Sequence, residues 1–373
     1  MSISRRKFVK TVPLGALLSG QLFRQITADD QFLQAQLNLS DIDKLYKEAI
    51  VFDGIVITRG WNQASFTALA KSGYTGFNAS LGGSGNLRAA LKALSDWQKR
   101  IKQHPDTLLH ATSEADFIRA KKEGKVAVML GFQNANMMEN SIDNLDILYQ
   151  AGTRWIQLTY NQRNFLGDGC TERTNAGLSD FGVAAVEKMN ELGIVIDLSH
   201  CGQQTTNDGI LFSKTGVSIN HSMCEALHKQ HPRAKTDEQI RAMADKGGIM
   251  GIICLGYMIG PNLGTETTLE TYVDHIEHAI KVGGIDHVGV AADYAVQGLK
   301  ATGATRENWY VPRLTRFKPS YKVQWPPWIP ELDSTDRYRH VARILDQRGY
   351  STGAIEKVLG QNWLRFFRET LKE

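Results

Sequence analysis

Residues 177–200 read GLSDFGVAAVEKMNELGIVIDLSH. Within it, FGVAAVEKMNELG carries apolar residues at three- and four-residue spacing and ends on a glycine, which predicts an amphipathic helix with a glycine stop. IVIDLS follows as a short, nearly continuous β-branched run, the signature of a strand buried on both faces. His200 stands directly after it. Helix, buried strand and polar strand end form one unit of a parallel β/α fold.

The same grammar recurs along the chain. Apolar runs near 50–57, 74–80, 126–132, 154–159, 194–199, 216–220, 249–254 and 287–292 predict eight strands, the number that closes a parallel (β/α)8 barrel of the TIM type. Helical patterns lie between them, as in LRAALKALSDWQKRI (87–101) and TDEQIRAMADKGG (236–248). The second opens on Thr236 with Gln239 in capping-box position and closes on Gly-Gly. A final amphipathic segment, TGAIEKVLGQNWLRFFRETLKE, is expected to pack on the barrel. No glycine-rich phosphate loop follows any strand, which counts against a doubly wound nucleotide-binding sheet. A single domain over 29–373 is the expectation. Residues 306–330 hold three Trp, two Tyr, one Phe and five Pro after the last strand. They read equally well as a lid over the mouth and as a surface or dimer contact.

The formal net charge is +4, but the first 28 residues carry five basic side chains and no acidic one. Without them the balance is 38 basic against 39 acidic, so nucleic acid is not an expected partner. SRRKFVK (4–10), then the mildly apolar TVPLGALLSG and a small residue at Ala28, predict a twin-arginine export signal over 1–28. The expected location is therefore bacterial and periplasmic or secreted, with the twin-arginine translocase as a partner during export. No cysteine follows the apolar segment and no run of eighteen apolar residues exists, so no stable membrane anchor is expected.

In a β/α barrel the chemistry gathers at the strand ends. Gln133, Tyr160, His200, His221 and Asp293 follow VAVMLGF, WIQLT, IVIDLS, VSIN and HVGVAA, with Asp53 more loosely placed in the first strand. His200 and His221 end consecutive strands, close enough to share a metal ion. Asp293 is a candidate to hold an ammonium group, to relay a proton, or merely to cap a helix. Tyr160 could steady a developing oxyanion, and Arg233 could clamp a carboxylate. His275 and His278 share one face of a helix, and a helix-surface role is expected for both. Cys170, Cys201, Cys224 and Cys254 allow three complete pairings. Cys170 with Cys201 is the favoured pair, and a thiolate ligand from Cys201, next to His200, or Cys224, three after His221, is the lesser alternative.

These residues carry a resemblance. GLSDFGVAAVEKMNELGIVIDLSH, INHS (219–222), HPRAKTDEQI (231–240), LGQNWLRFF (359–367) and VFDG (51–54) are similar to the membrane dipeptidase (renal dipeptidase-type) family, over nearly the whole chain after the leader. The resemblance implies a metal-dependent-hydrolase barrel holding two zinc ions and cleaving dipeptides, and often a homodimer. It implies that His200 and His221 bind one zinc, and that Arg233 and Asp293 bind substrate. Where the family supplies a histidine and an aspartate to the other zinc, Ile55 and Ile57 stand here. Gln133 occupies the position of the bridging glutamate, and Tyr160 that of a substrate-contacting histidine. The pattern resembles a divergent, exported bacterial branch.

Hydrocarbon cannot coordinate a cation, and a neutral amide is a poor bridge between two dications. One zinc on His200 and His221, with Gln133 as a weak third ligand, is the expectation. The leading reading is a metallodipeptidase-type hydrolase of dipeptides or similar small amides. The alternative is a degenerate, non-hydrolytic barrel that binds or matures a small molecule.

Overall fold

A computed structural model describes residues 41–372 apart from 83–84, 229–230 and 261–266; the expected leader lies outside the described residues. The described chain from Asp41 onward forms one compact unit. The strands are β1 (Phe52–Ile57), β2 (Gly76–Ser80), β3 (Leu108–His110), β4 (Val126–Phe132), β5 (Thr153–Gln157), β6 (Val195–Asp197), β7 (Ser218–Ser222), β8 (Ile249–Ile253) and β9 (Val288–Ala291). All pairings are parallel, in the order β1-β2-β4-β5-β6-β7-β8-β9. The path closes on itself through Asp293 N–H to Ile55 O (3.1 Å) and Ile57 N–H to Tyr294 O (2.9 Å). The eight expected strands are thus the eight of a (β/α)8 barrel. β3 is a ninth, paired only with the first residues of β4. Three residues are too few to show a period.

The helices follow their expected signals. Ser179 caps Asp180–Leu192, which ends at Gly193 in the left-handed region. Thr236 and Gln239 form the expected capping box on Asp237–Asp245. No helix among the described residues is long and apolar enough to cross a membrane.

Two layers fill the barrel. At the strand starts, Phe52, Trp155 and Phe117 pack with Trp363 and Phe367 from the helix Asn362–Thr370. Gly54 leaves room for this floor, since a Cβ there would meet Trp363 at 2.9 Å and Asn220 O at 2.8 Å. At the strand ends the interior turns polar.

Asp53 is not at a strand end. It is the second residue of β1, fully buried, and its carboxylate accepts the N–H of Ala292 (2.8 Å) and the hydroxyl of Tyr74 (2.9 Å). Arg337 donates to Tyr74 at 2.7 Å and to the carbonyls of Leu332, Ala295 and Val296. This buried Asp53–Tyr74–Arg337 chain ties β1 to the end of β9 and to the helix Arg337–Gln347.

Candidate metal centre at the barrel mouth

His221 lies inside β7 at a break in its register with β8, and His200 lies three residues beyond β6. Both are buried, and their Nε2 atoms stand 3.0 Å apart. The reason lies behind them. His200 Nδ1 meets Asn161 Oδ1 at 2.7 Å, and His221 Nδ1 meets Asn220 Oδ1. Asn220 is itself fixed, because its Nδ2 donates to Gly54 O (3.0 Å) and its Oδ1 also accepts the Ser199 hydroxyl (2.9 Å). An amide oxygen only accepts, so each Nδ1 carries the proton and each Nε2 presents a bare lone pair to the other. Burial, then the Arg233 charge, holds both imidazoles well below their usual pKa and disfavours a proton between them. Two converging neutral Nε2 atoms fit one borderline dication. Amide oxygens here do the orienting that carboxylates or carbonyls do at many zinc sites.

Ile55 is buried and Ile57 half-buried, and neither hydrocarbon side chain can coordinate a cation. Among the described residues no three His, Cys, Asp or Glu side chains cluster as a ligand set. Gln133 sits on the β2 side of the mouth, where its Nε2 donates to Ser80 Oγ at 2.8 Å.

Asp293 follows β9 at φ 55° and opens no helix, so it is no helix cap. Part of its surface is accessible at the mouth, yet the surrounding protein dominates. Burial raises its carboxyl to about 7, against the lowering effect of Arg233 and Arg313. The Tyr160 ring stacks on His200, centroids 4.0 Å apart, and burial followed by the Asp293 charge raises its hydroxyl. Arg233 is buried behind the pair. Nε donates to Ser199 O (2.8 Å), Nη1 to the Tyr321 hydroxyl (3.0 Å), and Nη2 to His221 O. That leaves two of its five N–H groups.

The 306–330 segment crosses the mouth. Besides the Tyr321 contact with Arg233, His231 Nε2 pairs with Tyr321 O (3.0 Å), Gly256 N–H donates to Pro327 O (2.7 Å), and Leu255 bridges Trp328.

Three expectations are corrected. His275 is not on a helix surface; it is buried, accepting Cys224 N–H on Nδ1 (3.0 Å) and facing Ile259 O with Nε2 (2.8 Å). His278 alone lies at the outside, on Asp237. Cys170 and Cys201 do not pair, and all four cysteines are free thiols. The Cys170 and Cys201 sulfurs turn to Asn161 and Thr159, the Cys224 thiol donates to His275 O, and no cysteine joins a three-group ligand cluster among the described residues. Asn161, Asn220, Asp197 and Ser199 were missed by sequence reasoning. Asp197, a buried acid within β6, accepts Ser218 Oγ and the Asn220 N–H, both at 2.7 Å. An acid inside IVIDLS, and an amide next to His221, were the available signals.

A profile of the membrane dipeptidase family (peptidase family M19) matches residues 26–314. The dipeptidase verJ of Clonostachys rogersoniana is 26% identical over 282 residues, 75% of this chain and 64% of that one. The dipeptidase tcpJ of Claviceps purpurea is 26% identical over 286 residues, 76% of this chain and 60% of that one. The chain therefore matches about three fifths of the length of these curated relatives. A solved amidohydrolase from Pseudomonas aeruginosa is 30% identical, with TM-score 0.79 over 89% of this chain and 99% of that one. A metallo peptidase from Rhodobacter sphaeroides, solved with a phosphinate mimic of L-Ala-D-Ala, shares the fold at 17% identity, TM-score 0.70, over 86% and 99% of the two chains. With a family match over most of its length and that family's barrel around a convergent histidine pair, this chain belongs to the membrane dipeptidase family, peptidase family M19.

Proposed function

We propose that the protein is a metallodipeptidase-type hydrolase acting on dipeptides or similar small amides with one zinc ion. The observation that carries this reading is the pair of bare Nε2 atoms held 3.0 Å apart by amide oxygens. A zinc ion bound there supplies Lewis acidity and a more acidic water. The remaining work belongs to the chain. Asn161 and Asn220 keep both imidazoles in the ligating tautomer. Asp293, titrating near neutrality, takes a proton from the attacking water and returns it to the leaving amine. The Tyr160 hydroxyl donates to the carbonyl oxygen as its charge develops. Arg233 offers its remaining N–H groups to the substrate carboxylate. The segment around Tyr321 keeps bulk water from the pair.

The test is turnover of L,L- and L,D-dipeptides by the protein loaded with one equivalent of zinc. Hydrolysis that disappears in His221→Ala, together with the bound zinc, is the expected result. Full turnover by that variant would remove the scheme. Thermal melting gives an independent readout. Zinc at a hundredfold excess over its Kd should stabilise the wild type by about 2.7 kcal/mol, and His221→Ala should show no shift.

A second reading, a non-hydrolytic binding barrel, draws on Ile55 and Ile57. It predicts binding of a small molecule without turnover of any dipeptide. The leader at 1–28 supports export by the twin-arginine route. Replacing Arg5 and Arg6 by lysine should leave the protein in the cytoplasm of a bacterial host, measured by fractionation.

A further inference from the structure

The segment that crosses the mouth carries a cation the scheme above does not use. Arg316 ends the short helix Val311–Arg316 and is exposed. Its guanidinium lies 6.0 Å from the Tyr160 ring centroid and 5.7 Å from that of Phe317, without an acidic partner among the described residues. Arg316, Phe317 and Lys318 form one wall of a cavity of about 220 Å³; Tyr160, Asn161 and Arg163 contribute to the others. Tyr160 stacks on His200 and Asn161 bonds its Nδ1, so this cavity adjoins the candidate metal centre.

No Asp or Glu among the described residues lines it. The charges around it are unequally compensated. Arg163 is paired with Asp168 at 2.5 Å. Lys318 meets the carbonyl of Thr171 and feels Glu172, whose oxygens take the backbone N–H groups of Arg163 and Arg173. Arg316 is the cation left over. Its planar fork suits a carboxylate, and a concave, single-sign lining concentrates anions. Arg233 is a separate cation, buried and bonded to the Tyr321 hydroxyl, and it does not line this cavity.

We propose that the preferred substrates carry a second carboxylate, on a residue flanking the scissile amide, and that Arg316 is the specificity-determining residue that receives it. This rests on the dipeptide-hydrolase reading.

The experiment is kcat/KM for Ala-Ala, Ala-Glu, Glu-Ala and Ala-Lys with the zinc-loaded wild type, Arg316→Ala and Arg316→Glu, at low ionic strength. The wild type should prefer one glutamyl dipeptide over Ala-Ala by about tenfold, mostly through KM, with the preference fading in salt. Arg316→Ala should collapse the ratio toward one, and Arg316→Glu should turn it toward Ala-Lys. A wild type with no acidic preference overturns the proposal while leaving the hydrolase intact. So does a variant that lowers all four substrates alike, because Arg316 would then serve a group they share. If the wild type cleaves none of them, the hydrolase reading fails instead. Calorimetric binding of the same glutamyl dipeptides then decides the pocket: tighter binding than Ala-Ala, lost in Arg316→Glu, supports the anion site, and equal or absent binding removes it.

Discussion

Asp293 holds a left-handed backbone conformation at φ 55°, which costs a non-glycine residue of order 1 kcal/mol. Ile55 O and the Asp53 carboxylate hold the N–H groups of Asp293 and Ala292 and keep the turn in place. The turn sets a carboxyl in low-dielectric surroundings with its pKa raised to about 7. Two predictions follow from that value. As a proton acceptor it must be ionised, so kcat/KM of the zinc-loaded enzyme should fall with acid along a limb below about 7, because a nearby dication favours the carboxylate; Asp293→Asn should remove that limb and lower kcat by roughly 10²- to 10⁴-fold. The stability effect has the opposite sense. The folded carboxyl keeps its proton up to about 7 whereas the unfolded one loses it near 3.8. The folded state therefore binds more protons between those values, and this group's contribution falls as pH rises through the window. Asp293→Asn should melt higher than the wild type at pH 8, with the gap closing toward pH 4.

Arg337, at the start of its helix, is buried and is the cation that offsets the Asp53 carboxylate. The two groups are linked through the Tyr74 hydroxyl rather than in direct contact; breaking a direct buried pair costs about 3–5 kcal/mol, which is an upper bound here. Arg337→Ala should lose stability up to that bound in urea unfolding, and Asp53→Asn in the same background should recover part of it. At this scale the sequence was legible where an element carries its own signal. Most of the barrel strands show as Val- and Ile-rich runs because both faces are buried, whereas β2 (GFNAS) and β5 (TRWIQ) show only as short apolar stretches; Thr236 and Gly193 mark helix ends by local chemistry. His200 and His221 were legible for the same reason, each ending such a run. The three-residue β3 was not. Nor were the amides behind the histidines: Asn161 and His200 are far apart in sequence, and only the barrel curvature joins them. His275 shows the converse failure, since spacing on a helix says which residues share a face but not which way that face turns. Cys170 and Cys201 follow adjacent strands, as expected, but their sulfurs turn to different hydrogen-bond partners.

Across the whole molecule, a polar mouth and an aromatic floor share one barrel. The floor centres on Trp363, fully buried, with Phe52 5.4 Å and Trp155 5.6 Å from its ring centroid. Trp363→Ala should cost about 3–5 kcal/mol in urea unfolding, without changing the selectivity among dipeptides at the opposite end. Phe52 and Trp363 lie roughly 300 residues apart, a separation that slows the meeting of partners during folding. A ribosome must therefore deliver the chain through Phe367 before the floor can seal. Until then the nascent protein displays an oily, open-ended bowl, the kind of surface that chaperones cover and that aggregates when they do not.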